Sequence, residues 1–276
     1  MTLVLVGTPI GNLADLSPRA AEALAGADAI CCEDTRRTGR LLQHIGAPKR
    51  PLVVVNDHTE AAATAGVLER LARGERVVVV SDAGMPGISD PGERLVRAAV
   101  AAGHPVEVVP GPSAAVAAVV LSGLPTGRWV FEGFLPRKGS GRRERVREVA
   151  EERRTVVLYE APHRLADTLA DLAKACGPDR RVAVGRELTK LHEETWRGTL
   201  AGALEWVEAQ PPRGELVLVL EGAAPPDPAT DDDVEAAVRA RLEAGDSVKD
   251  AAATVAVALG VAKRRAYDVA VALNAR

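Results

Sequence analysis

Short aliphatic runs recur through the first 112 residues, at Leu3–Val6, Leu52–Val55, Val77–Val80 and Val106–Val109, with a weaker fifth at Ala27–Cys32. They do not alternate apolar with polar positions. That pattern predicts strands buried on both faces, as in a parallel sheet. Helical patterns separate them. Ser17-Pro18 sets a capping residue before a proline and opens a helix over Arg19–Leu24. Thr59–Arg73 is rich in Ala, Leu and Glu and stops at Gly74; Pro91–Ala102 stops at Gly103. Five strands with crossover helices predict an open α/β sheet.

From about Gly123 to Gly222 a second α/β unit is expected, with strands at Trp129–Phe134, Thr155–Tyr159, Arg181–Gly185, Thr195–Gly198 and Glu215–Glu221. The last two are expected to follow each other with less helix between them, which predicts a mixed sheet. Ala223–Pro228 reads as a linker. Asp231–Ala275 is helical in pattern, with Thr230 and three aspartates as an acidic helix start, Ser247 capping a second helix and Val261–Leu273 forming a third. The expected organisation is residues 1–112, 113–222 and 223–276.

Composition narrows the class. The chain has 276 residues, 47% hydrophobic and 26% charged, which is ordinary globular usage and excludes a disordered or collagen-like polymer. No apolar run approaches the ~18 residues of a spanning helix, and the start of the chain lacks a basic leader region, so a soluble cytoplasmic protein is expected. Cys31, Cys32 and Cys176 have neither the spacing nor the histidine neighbours of a zinc site. No metal is expected. The net charge of −3 points to no partner. Its distribution is uneven: residues 137–147 hold six cations and one acid. With glycines making its start mobile, this segment reads as a phosphate-contacting loop rather than a solvated helix face. Lys263–Arg265 is a weaker basic cluster.

Candidate chemistry gathers where predicted strands end. The turn Gly7-Thr-Pro-Ile-Gly-Asn12 is not a dinucleotide fingerprint, and no phosphate-binding P-loop motif occurs anywhere. Ser81–Gly92 packs three glycines, two prolines and two aspartates into twelve residues directly after a buried strand. Glycines there allow close backbone approach, and prolines limit the entropy lost on binding. Asp82 and Asp90 are suited to accept hydrogen bonds from ribose hydroxyls or to attract a cation. In Pro110–Ala114, Ser113 is either a helix cap or part of a ligand site. Glu33-Asp34-Thr35-Arg36 is either a helix start or part of the same cleft. Tyr159–Arg164 and Arg186–Lys190 combine acids and bases at two further strand ends.

Taken in order, Thr8–Leu13, Glu33–Arg36, Ser81–Gly84 with Ile88–Gly92, Pro110–Ala114, Gly133–Lys138, Tyr159-Glu160 with Pro162–Arg164, and Arg186–Lys190 closely resemble the small-subunit ribosomal RNA methyltransferases of the tetrapyrrole methylase (class III methyltransferase) superfamily. The match runs collinearly over about residues 2–222. Met85 stands where that family usually has Thr, and Thr59 where it has Asn. The resemblance implies two α/β domains with a cofactor cleft between them and a small helical C-terminal tail. It implies S-adenosylmethionine as donor, 2'-O-methylation of a cytidine in the decoding region of 16S rRNA within the 30S subunit, and a homodimer. Pro9, Ile10, Asp82, Gly84, Met85, Ser113, Ala114 and Glu160 are the expected donor residues. Glu33, Asp34, Glu187 and Lys190 are the catalytic candidates. Arg36, Arg137, Lys138, Arg142, Arg143 and Arg145 are the candidates for RNA contact. The competing activity is methylation of a tetrapyrrole or another small molecule with the same cofactor loops. A non-catalytic RNA-binding module is disfavoured by the number of rigid loops at one sheet edge.

Overall fold

The computed structural model describes residues 2–56, 58–225 and 228–274. Asp57, the linker positions Pro226 and Asp227, and Ala275 of the tail lie outside the described residues. The chain forms two compact units, residues 1–223 and 224–276.

In chain order the first unit comprises β1 (Leu3–Val6), α1 (Pro18–Ala25), β2 (Ala29–Cys32), α2 (Thr35–His44), β3 (Leu52–Val54), α3 (Glu60–Ala72), β4 (Val77–Val79), α4 (Glu93–Ala101), β5 (Val106–Val109), α5 (Ala114–Ser122), β6 (Trp129–Phe134), α6 (Ser140–Glu151), β7 (Thr155–Glu160), α7 (Leu165–Cys176), β8 (Arg181–Arg186), β9 (Glu194–Thr199), α8 (Leu200–Ala209) and β10 (Leu216–Leu220). Its first sheet is wholly parallel, in the order β3-β2-β4-β1-β5. Both faces are covered, which is why its strands read as unbroken apolar runs. Val4, Val6, Ile30, Cys32, Val78 and Val80 face α1 and α2, while Leu3, Cys31, Val77 and Val79 face α3 and α4. Burial pushes the Cys31 thiol up to about 12, so it packs as an apolar group.

The second sheet is mixed, in the order β6-β7-β10-β8-β9. Only β6 and β7 run parallel; β10 lies antiparallel between β7 and β8. Helix α8 separates its last two strands and, at 10 residues, is shorter than α6 and α7 at 12 each. Thr199 caps α8 there, and Leu200, Ala203 and Val207 bury one side of that helix. Helix α5 leaves β5 of the first sheet and packs Ala115, Ala118 and Val119 against Val157, Ala183 and Val217 of the second. Helices α6, α7 and α8 cover the opposite face.

The second unit contains α9 (Asp231–Glu243), α10 (Val248–Leu259) and α11 (Lys263–Asn274). Thr230 and Asp233 form a reciprocal capping box at α9. Gly260, in the left-handed region at φ 64°, ends α10. Val234, Val238, Val255, Ala266 and Ala270 form its small core. No helix among the described residues is long and apolar enough to cross a membrane.

Candidate functional site

Three loops from the first sheet are knitted together by backbone. Gly7 follows β1 and Gly111 follows β5, and a Cβ on Gly7 would lie 2.6 Å from the Cα of Gly111. Neither position accepts a side chain without separating the strand ends. Thr8 and Gly84 exchange backbone hydrogen bonds of 2.8 and 3.1 Å. Gly84 has φ 81°, a conformation that a residue with a Cβ adopts only under strain. The far end of this loop is fixed by Glu60. Its buried carboxylate accepts from the backbone N–H groups of Gly92, Arg94 and Leu95, capping α4 in place of the absent side chain of Gly92.

The second sheet adds three more segments. Glu160 ends β7 with no side-chain exposure. Its carboxylate accepts from Thr168 Oγ1 at 2.6 Å and from the Ala161 N–H at 2.9 Å, and pairs with Arg164 at 3.3 Å. After β8, Glu187 and Thr189 have φ 47° and 67°. With Ser89 at 59°, these are the non-glycine residues of positive φ among the described residues, and all three sit in these loops. Concentrated backbone strain of this kind marks a site the surrounding fold over-determines. Asn12 N–H donates to Thr189 Oγ1 at 3.1 Å, which ties the first half of this unit to the second.

Between the sheets lies a cavity of about 320 Å³. Of the expected donor residues, Ile10, Gly84, Met85, Ser113, Ala114 and Glu160 line it. Ser113 also accepts from the Val116 N–H, which makes it the cap of α5 as well as part of the cavity wall. Pro9 and Asp82 line instead an adjoining cavity of about 410 Å³, which shares Ile10, Ala83 and Glu215 with the first. Phe134, Tyr159, Leu188 and the segment Gly214–Val217 also line the first cavity; the first three lie in loops the sequence singled out, though not among the expected donor residues, and Gly214–Val217 was not expected there at all. The loops expected there follow the carboxyl ends of strands. β10 runs antiparallel, so its amino end reaches the same edge. The turn Pro211-Pro-Arg-Gly214 just before it was the available signal.

The catalytic candidates separate. Glu33 accepts from the Asp82 N–H at 3.0 Å, and Asp82 accepts from the Asp34 N–H at 3.2 Å, so this cluster locks the ends of β2 and β4 together. Neither Glu33 nor Asp34 lines either cavity. Asp34 caps α2, and hydrogen bonds from the Arg36 guanidinium and backbone hold its carboxyl down at about 2. Lys190 lines the second cavity, with Nζ at 2.8 Å from Glu187 Oε1 and 3.0 Å from Glu215 Oε2. Partial burial would lower its pKa, but the two carboxylates outweigh it and raise it, so Lys190 stays an ammonium. For Glu187 burial acts upward, and the Lys190 ammonium with the Glu215 N–H overcomes it, leaving a carboxylate held below its usual range.

The RNA candidates also divide. Arg137, Lys138 and Arg143 are exposed. Arg36 is exposed but engaged with Asp34 at 2.9 Å, and Arg145 bridges Glu132 and Glu148. Arg142 is a correction. It is buried, donating to Asp171 at 2.7 Å, Thr168 at 3.0 Å and the Pro136 carbonyl at 3.1 Å. Its charge holds α6 to α7 and is unavailable to a phosphate. From Ser140 the segment is helix α6 and not a loop. No group of three His, Cys, Asp or Glu suited to a metal occurs among the described residues.

A mainly apolar cavity between one parallel and one mixed sheet, walled by the loops at their strand ends, is the arrangement of a class of methyltransferases. The family of Tetrapyrrole (Corrin/Porphyrin) Methylases matches residues 2–204, and the chain belongs to it. It is 43% identical over 275 residues to the ribosomal RNA small subunit methyltransferase I of Synechocystis sp., covering 99% of this chain and 98% of that one. With the protein of the same name from Xylella fastidiosa it shares 50% over 230 residues, 83% of this chain and 84% of the other. Among solved structures, the methyltransferase CobJ superposes with a TM-score of 0.62 at 25% identity, over 81% of this chain and 94% of that chain. The chain is therefore an S-adenosylmethionine-dependent methyltransferase. The cavity suits that donor. Its size falls at the lower end of the ~300–1,000 Å³ of ligand pockets. Its walls are mainly apolar, with Tyr159 and Phe134 in edge-to-face contact and the Asp90 and Glu215 side chains supplying polar groups.

Proposed function

We propose that this chain transfers a methyl group from S-adenosylmethionine to the ribose 2'-hydroxyl of a cytidine in the decoding region of 16S rRNA, acting in the cytoplasm on the 30S subunit as a homodimer. The observation that carries this reading is near-full-length identity to relatives named for small-subunit ribosomal RNA methylation. Bound in the first cavity, the donor supplies a methyl group on a sulfonium whose positive charge is lost in transfer. Tight anionic contact to that charge would oppose the reaction, so a mainly apolar wall serves it better.

Ile10, Gly84, Met85, Ser113, Ala114 and Glu160 hold the donor, with Pro9 and Asp82 shaping the wall behind Ile10. The charged group formed by Lys190, Glu187 and Glu215 faces the acceptor side. There the Lys190 ammonium orients the hydroxyl and stabilises negative charge developing on its oxygen, and the Glu215 carboxylate beside it takes the hydroxyl proton as the methyl leaves the donor sulfur, which departs neutral. Glu33 and Asp34 act by fixing the Asp82 loop. Replacing Lys190 with Met is expected to lower kcat by about a hundredfold, within the range for a lost acid–base or polar contact, while leaving donor affinity intact. The deciding experiment incubates 30S subunits with enzyme and labelled donor and maps the product. Label on a ribose 2'-oxygen of a 16S cytidine supports the reading; label only on a porphyrinogen supplied in parallel would establish the small-molecule alternative.

A further inference from the structure

The second cavity carries a feature that the donor assignment does not use. Pro9, Leu13, Arg37, Arg40, Leu41 and Lys190 line it, and it opens onto the donor cavity through Ile10, Ala83 and Glu215. Two of its cations are neutralised locally. Arg37 pairs with Asp82 at 3.4 Å and Lys190 with Glu215 at 3.0 Å. The Arg40 side chain makes no hydrogen bond or ion pair among the described residues, although it is exposed. The uncompensated charge of this cavity is therefore the guanidinium of Arg40. Arg37 and Arg40 are three residues apart on α2 and so share one side of the helix. Leu13, 46% exposed, adds an apolar wall.

We infer that this second cavity is the acceptor-nucleotide subsite, in which Arg40, assisted by Arg37, grips a backbone phosphate beside the target ribose. An anion-binding fork, an apolar wall for a base and an opening onto the donor are the three elements a single-stranded nucleotide needs to present its ribose. The inference rests on the RNA-methylation reading and adds its positioning residues. It also replaces Arg36, whose guanidinium Asp34 occupies, with two later arginines on the same helix.

The test compares Arg40→Gln and Arg37→Gln with Arg97→Gln, an exposed arginine on α4 that loses the same charge far along the chain. KM for 30S subunits is measured over a salt series, and S-adenosylmethionine binding by calorimetry. R40Q is expected to raise KM about tenfold, the scale of one lost charge-assisted hydrogen bond. Its salt slope should fall by about 0.7–0.9, as for one lost phosphate contact. R37Q should raise KM less, because Asp82 already shares its charge. Donor affinity should match the parent in all three, which also reports intact folding. If R40Q matches R97Q in KM and slope while the parent still methylates 16S rRNA, the subsite is wrong and the reaction reading stands. If the parent methylates only a porphyrinogen, both fall.

Discussion

At Gly84 a single backbone angle shapes the loop that lines the first cavity. The residue holds φ 81° while exchanging hydrogen bonds with Thr8, and a Cβ added there would meet Ile10 Cγ2 at 3.4 Å, an ordinary contact. Space is therefore adequate and conformation is the constraint. Gly84→Val should weaken S-adenosylmethionine binding by at least about tenfold, since left-handed strain in an L-residue costs about 1–2 kcal/mol; calorimetry measures it, and unchanged affinity in a folded variant would contradict the assignment. Asp34 gives a prediction of opposite kind. Its folded-state pKa of about 2 lies below the ordinary aspartate value, so its contribution to stability is complete above about pH 4 and is lost as pH falls through about 2. Asp34→Ala should lower the urea midpoint at pH 7, and the gap to the parent should narrow between pH 4 and pH 2. Equal gaps at both ends would mean that the carboxylate's charge is not what caps α2. Met85 lines the first cavity, so the departure from Thr lies on its wall. Thr59 instead bonds the Val54 carbonyl and Asn56 beside β3, which is a turn-stabilising role.

At the scale of elements, α6 shows how a cationic run divides its labour. Arg142, Val146 and Val149 face inward, so the spacing of three and four places Arg142 on the buried stripe of the helix. Arg142→Ala should cost about 1.5–3 kcal/mol, the scale for hydrogen bonds to a charged group, and lower Tm without a specific effect on RNA affinity. Replacing Arg137, Lys138 and Arg143 together by Ala should leave Tm nearly unchanged. It should also reduce the salt slope of 30S binding by about two units, at roughly 0.7–0.9 per phosphate contact. A triple variant with the parent's KM at every salt concentration would leave α6 and its approach as a solvated face only.

For the whole molecule, α5 links the two sheets and leaves part of itself uncovered. Ala115, Ala118 and Val119 are buried, whereas Val116 and Val120 are 50% and 71% exposed. An apolar stripe on a sheet-bridging helix is a candidate contact between copies of the chain. Light scattering at micromolar concentration should return twice the chain mass of 28.9 kDa; the mass of one chain would refute the dimer.

The sequence alone determined the parallel first sheet, because burial on both faces leaves unbroken aliphatic runs, and it marked Gly7 and Gly111, because a Cβ at either would meet the other's backbone at under 3 Å. It also located the loops at the ends of parallel strands. Tertiary structure decided which end of β10 joined them, since an antiparallel strand reverses which terminus meets the cleft and no local pattern states its partner. It decided the fate of charges as well. Arg36, Arg40 and Arg142 are alike in sequence, yet one is paired with Asp34, one faces a cavity unpaired and one is buried against Asp171 and Thr168. A guanidinium's function depends on the acid within about 3 Å of it: Asp34 lies two residues from Arg36 and is legible in the sequence, whereas Asp171 reaches Arg142 only through the packing of α6 on α7.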